Sequence, residues 1–223
     1  MNDPKKKLVI FGSGFLGELA HFYFTNDSNY EVIAFTADAH YIKESTYLGL
    51  PCIAFEELEK HYSPSDVHLF IAIGYSKLNA IRIAKFNAAK AKGYTLASYV
   101  SSKSSTWPES MQIGENVFIM ENNVLMPFCK IEDNVLVWVG NILSHHSIIK
   151  KHTTITSHAA IGGNVIIGEA CFIGLNATIR DSIEIADGTV IAASSNVIKN
   201  TEPHSVYMGS PAVFKMKAED AKI

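Results

Sequence analysis

The sequence predicts two parts in one chain: a small α/β unit over the first hundred residues, then a parallel β-helix. Three observations predict it. Aliphatic residues recur at every sixth place through the C-terminal half. A glycine-rich turn near the start separates a strand pattern from a helical one. The composition, 48% hydrophobic and 18% charged over 223 residues, is that of a globular chain with a buried core. Nineteen Lys+Arg against 22 Asp+Glu give a net charge of −3, and neither half is basic, so no nucleic-acid partner is expected. Cys52, Cys129 and Cys171 have no paired spacing, which speaks against a disulfide scaffold and a cysteine-based zinc site. The apolar run after Lys5-Lys6-Lys7 stops at Phe11, too short for a signal-peptide core. No run approaches the ~18–20 apolar residues of a membrane span. A cytoplasmic protein without membrane insertion is the expectation.

Leu8–Phe11 reads as a buried strand. Gly12-Ser13-Gly14-Phe15-Leu16-Gly17 follows, and then a helix to about Phe24. This is GxGxxG in the strand–turn–helix setting where glycines admit a phosphate and the helix N-terminus favours an anion. Further strands are expected at Glu31–Phe35, Val67–Ile73 and Tyr94–Val100. A helix is expected over Ser76–Ala91 with Leu78, Ile81 and Phe86 as its core. The order is βαββαβ or similar, a Rossmann-like unit with a parallel sheet. A dinucleotide site wants an acid about 20 residues after the glycines. The nearest, Asp38, lies 26 after Gly12. The unit is also half the size of a full dinucleotide fold. A nucleotide-linked substrate therefore suits Gly12, Ser13, Gly14 and Asp38 better than NAD, with a turn kept only for packing as the third reading.

Residues 101–112 read as a linker with a first distorted hexad near Trp107. From Ile113 to Val197, fifteen consecutive sixth places hold only Ile, Leu or Val. The fifth place of each hexad is small or β-branched at most positions, as at Cys129, Ser147, Thr153, Ala159 and Cys171. A period of six fits neither a helix nor one long strand. It fits a prism in which three hexads close one coil of 18 residues. The first place fills the axis and the fifth shares it. The domains are thus 1–100, the linker 101–112, the β-helix 113–202, and a closing loop and cap over 203–223, with a short helix expected over Ala212–Asp220.

Four histidines, His145, His146, His152 and His158, fall in one stretch. In such a prism only residues 18 apart stack, and none of these has a histidine 18 residues later. One chain cannot build a three-histidine zinc site from them, although a site shared between copies stays open. His145 stands at a third place, facing outward near a corner, and Gly163 stacks on it one coil later, ~4.8 Å away. A base beside a bare amide is what acyl transfer needs. Gly174 and Ala192 likewise stack at second places and leave a flat wall for an extended ligand.

With Ser144-His145-His146, Gly162-Gly163-Asn164-Val165, Ile173-Gly174-Leu175-Asn176 and Met208-Gly209-Ser210-Pro211-Ala212, the chain resembles the hexapeptide-repeat bacterial sugar acetyltransferases. These include the sialic acid O-acetyltransferases and the bacillosamine-type amino-sugar N-acetyltransferases. The resemblance spans nearly the whole chain and implies a left-handed prism. It implies acetyl-CoA as acyl donor, no metal, and a homotrimer with active sites between subunits. It gives His145 the role of catalytic base and Gly163 that of amide donor to the thioester oxygen. Gly174, Leu175, Ala192 and Ala193 would line the coenzyme A arm, with Lys199 near its phosphates or adenine. Ser13 and Asp38 would fall in a nucleotide-sugar pocket. Two departures stand out: His146 replaces an acid after the catalytic histidine, and Ala37 precedes Asp38 where two acids are expected.

The implied activity is N-acetylation of a nucleotide-linked amino sugar for bacterial surface glycan, including lipopolysaccharide, biosynthesis. Sugar or sialic acid O-acetylation is the alternative. A zinc hydratase of the γ-carbonic-anhydrase type and a non-catalytic trimeric scaffold are alternatives of other classes.

Overall fold

A computed structural model describes residues 4–221. The chain divides into two compact units: residues up to Gly74 with Ile81–Tyr99, and Tyr75–Ala80 with Val100 onward.

The first unit runs β1 (Lys6–Phe11), α1 (Phe15–Asn26), β2 (Tyr30–Ala37), β3 (Thr46–Tyr47), β4 (Leu50–Ala54), α2 (Leu58–His61), β5 (His68–Ile71) and α3 (Ala80–Ala91). The sheet order is β3-β4-β2-β1-β5, parallel except for the β3–β4 hairpin. As a central strand covered on both faces, β1 is a continuous apolar run, with Leu8, Val9 and Ile10 wholly buried. The hairpin at 46–54 was absent from the sequence pattern. The expected strand at Tyr94–Val100 is reduced to a bridge between Leu69 and Leu96 and a pair of residues at Tyr99–Val100.

Helix α3 starts at Ala80, four residues later than the pattern suggests. Lys77, Leu78 and Asn79 take φ of 53°, 49° and 66°, outside the right-handed helical region. The core of α3 is correspondingly different: Phe86 is buried, but Ile81 is 39% exposed and Leu78 precedes the helix. Asn79, wholly buried, belongs to the second unit. Its amide donates to Ala170 O and Cys171 O, and its carbonyl accepts from the Thr154 hydroxyl at 2.7 Å. Those three bonds hold the left-handed turn in place.

In the second unit, fifteen two-residue strands run from Gln112–Ile113 to Asn196–Val197. Each pairs in parallel with the strand 18 residues on, as Leu136–Val137 does with Thr154–Ile155 and Ile142–Leu143 with Ala160–Ile161. Three flat sheets result, and they enclose a single core. The first-place residues from Ile119 to Val197 are each no more than 1% exposed. Ile113 is the exception at 37%, because no coil covers it. Trp107 is 54% exposed beside a short 3-10 turn, so the distorted hexad expected there does not form.

The fourth place of every hexad from Asn116 to Ser194 has positive φ. This is the corner that turns one face into the next. Asn, His and Gly tolerate that conformation best. His146, His152 and His158 all stand there, with φ of 60°, 67° and 62°. Fifth-place side chains turn inward and replace missing backbone partners. Asn123 Oδ1 accepts from the Asn141 amide and Asn141 Oδ1 from the Ala159 amide, both at 2.8 Å.

The tail is a strand where the sequence suggested a helix. Val213–Lys217 pairs antiparallel with Ser205–Met208, and only Ala218–Asp220 makes a 3-10 turn. Five residues are long enough to extend a sheet edge but short for a stable helix.

Candidate functional sites

The first unit holds a cavity of about 860 Å³ lined by Gly12, Ser13, Gly14 and Asp38, which the structure brings together as the sequence suggests. The three glycines differ in cause. Gly12 has φ of 121°, and a Cβ there would stand 2.7 Å from Ala72 O. A Cβ on Gly17 would run into Gly12 O. Both are fixed by packing. Gly14 has ordinary φ of −110°, and a Cβ there would meet nothing within 4 Å. No part of the protein requires glycine at this position, which faces the cavity at the N-terminus of α1. The helix has no side-chain cap, so its first amides point into open space.

Asp38 follows the end of β2. Its Oδ1 accepts from Lys85 Nζ on α3 at 2.5 Å, and the two side chains are only 13% and 23% exposed. The Lys85 ammonium also lies 5.5 Å from the Phe11 ring centroid and 5.9 Å from that of Phe55. Lys85, Tyr41, Lys43 and Tyr47 line the cavity too, and sequence reasoning missed all four. They come from different elements, and no short-range spacing connects them. Burial raises the Cys52 thiol at the cavity wall, so it stays protonated.

In the second unit the His145 ring lies flat against Gly163. A Cβ on Gly163 would stand 2.6 Å from His145 Cε1 and 2.7 Å from Nε2. Among the described residues nothing accepts from the Gly163 amide, whereas its neighbours Gly162 and Asn164 donate to Ile179 O and His145 O. His145 Nδ1 is 3.1 Å from His146 Nδ1, and both rings are exposed. The His146 ring leans on Phe128, centroids 4.8 Å apart. Two more imidazoles rest on bare glycines, His158 on Gly140 and His204 on Gly188. The spacing of eighteen could have revealed the first of these.

Lys199 shares the corner column of His145 and Gly163, at third places 18 or 36 residues along. Leu175 and Ala193 occupy a different corner, reached across the face that contains Ala160 and Thr178. The glycine at 174 is fixed by packing: a Cβ would stand 2.5 Å from the Ala193 amide and 2.7 Å from Ile191 O. The amides of Leu175 and Ala193 have no acceptor among the described residues. Cys129 and Cys171 are core thiols, and burial pushes Cys171 up to about 12. Neither can serve as a nucleophile. Among the described residues no group of three His, Cys, Asp or Glu could hold a metal, and no helix is long and apolar enough to cross a membrane.

Residues 110–145 match the family "Bacterial transferase hexapeptide (six repeats)". A probable macrolide acetyltransferase from Lysinibacillus sphaericus is 47% identical over 49 residues, 22% of this chain. The match spans only about a quarter, 27%, of the length of that relative. The acetyltransferase domain of PglB from Neisseria gonorrhoeae FA1090 superposes with a TM-score of 0.85 at 24% identity, over 95% of this chain and all of that one. PerB from Caulobacter crescentus, solved with CoA and GDP-perosamine, gives 0.83 at 22% identity over 94% and 97%. By repeat and fold the chain is a hexapeptide-repeat protein, an α/β unit followed by a left-handed β-helix. Within that class its architecture is the one found in the bacterial sugar acetyltransferases it resembles.

Proposed function

We propose that the chain is an acetyl-CoA-dependent N-acetyltransferase whose acceptor is a nucleotide-linked amino sugar. It would act in the cytoplasm in the making of bacterial surface glycans. The observation that carries this reading is the His145 imidazole lying against Gly163, whose amide has no acceptor. The similarity to acetyltransferases, one of them solved with CoA and a nucleotide amino sugar, supports it.

The sugar amine attacks the thioester carbonyl carbon and a C–N bond forms. His145 Nε2 takes the amine proton. The oxygen that gains charge accepts from the Gly163 amide, already aimed and without another acceptor. The C–S bond then breaks, and the departing thiolate takes the proton from the imidazolium.

His146 is the positioning residue. When His145 Nδ1–H donates to His146 Nδ1, the lone pair of His145 lies on Nε2, as a base requires. A neutral imidazole thus stands in for the acid expected at this place. The arm of acetyl-CoA would run along Gly174, Leu175, Ala192 and Ala193, whose open amides suit its peptide-like groups, with Lys199 near its phosphates. In one copy the His145 column and the Leu175 column occupy different corners. A ligand touching both therefore fits best in a groove between two copies, which supports a homotrimer. Ser13, Gly14 and Asp38 would hold the nucleotide, its diphosphate at the N-terminus of α1.

The test is release of free thiol from acetyl-CoA in the presence of UDP-, GDP- and dTDP-amino sugars. Release with an amino sugar and not with its hydroxyl counterpart is expected. Release with free sialic acid or another hydroxyl sugar alone would replace the reading by O-acetylation. No release with any acceptor would remove it.

A further inference from the structure

We infer that the ion pair of Lys85 and Asp38 reads the nucleotide base, and that the base it selects is guanine. The inference rests on the nucleotide reading of the glycine-turn cavity. With a diphosphate at the N-terminus of α1, the rest of the nucleotide has the remainder of the 860 Å³ cavity, bounded by Tyr41, Tyr47 and the end of β2. That space admits a purine or a pyrimidine, so size does not choose between them. Hydrogen-bond pattern does.

Asp38 and Lys85 both line the cavity. The ammonium meets Oδ1, at 2.5 Å, and among the described residues nothing donates to Oδ2. The pair therefore offers a donor, an acceptor and a second acceptor in succession: Nζ, Oδ1, Oδ2. The base-pairing edge of guanine presents the complement, O6 as acceptor followed by N1–H and N2–H as donors. Uracil and thymine present acceptor, donor, acceptor, so their second carbonyl would face a carboxylate oxygen. Adenine begins with a donor and would face the ammonium. Phe11 and Phe55 hold the Lys85 ammonium from below, and Ala37 at the end of β2 supplies no second carboxylate to compete for the base.

The experiment is calorimetric titration of the full-length protein with GDP, IDP, UDP, dTDP and ADP. GDP is expected to bind at least about tenfold more tightly than UDP or dTDP, the worth of one hydrogen bond to a charged group. IDP lacks only the 2-amino group and is expected to lose about tenfold against GDP, with no change to the protein. Lys85→Met keeps the stem over Phe11 and Phe55 but removes the donor; it is expected to bring GDP to within about threefold of UDP. Equal or tighter binding of UDP or dTDP overturns the base assignment and leaves the nucleotide site intact. IDP binding as well as GDP removes the Oδ2 contact, and a Lys85→Met protein that keeps the preference removes Lys85; either result overturns the inference. Binding of none of the five overturns the nucleotide reading itself.

Discussion

Gly163 and His145 are each defined by the other. Replacing Gly163 with Ala places a methyl where the imidazole lies, so the ring must swing away from the amide. Turnover is expected to fall by about 10²-fold or more, while the circular dichroism stays that of the parent because the ring is exposed. His145→Ala should lower turnover by ~10²-fold or more with little change in the KM for acetyl-CoA. A smaller loss on His146→Ala, restored in part by His146→Glu, would mark that residue as positioning; an unchanged rate would remove it. Much of this was legible in the sequence, since stacking at eighteen residues follows from the repeat alone. The roles of the neighbouring histidines were not. His146, His152 and His158 owe their places to a corner that needs positive φ, a backbone demand that hydrophobic spacing does not reveal. The Lys85–Asp38 pair joins residues 47 apart from two elements, a contact that only the packed sheet creates.

Elements differ in how far they follow their own sequence. The glycine turn allows a clean separation of packing from binding. Gly17→Ala forces a methyl onto Gly12 O and should cost about 3 kcal/mol or more in chemical denaturation. Gly14→Ala should cost no more than about 1 kcal/mol, the price of a poorer N-cap, yet weaken nucleotide binding in calorimetry. Equal stability losses for the two would contradict the assignment of open space at Gly14. The start of α3 shows tertiary contact overriding helical pattern. Asn79 spends its side chain on Ala170, Cys171 and Thr154 instead of continuing the helix. Asn79→Ala should lower stability by about 2–3 kcal/mol, and the melting temperature with it. The C-terminal strand was misread as helix because five residues of mixed pattern take their shape from the available sheet edge, which the local sequence does not encode.

At the scale of the molecule, the β-helix was almost wholly readable, because one hexad rule repeats without slip and each coil meets only its neighbours. The α/β unit was read correctly in class but not in detail, since its hairpin and strand ends depend on long-range pairing. Sedimentation should give a particle of three times the 24.5 kDa chain mass; a monomer that still transfers acetyl groups would refute the shared groove. The corner rule has a consequence for how such a chain tolerates change in length. Adding eighteen residues to the prism would lengthen it by ~4.8 Å and leave every downstream side chain on its own face. Adding six would keep the aliphatic spine in phase but turn everything beyond the insertion by a third of a revolution. An insertion of six between His145 and Gly163 would therefore part the imidazole from its amide while the column itself went on folding.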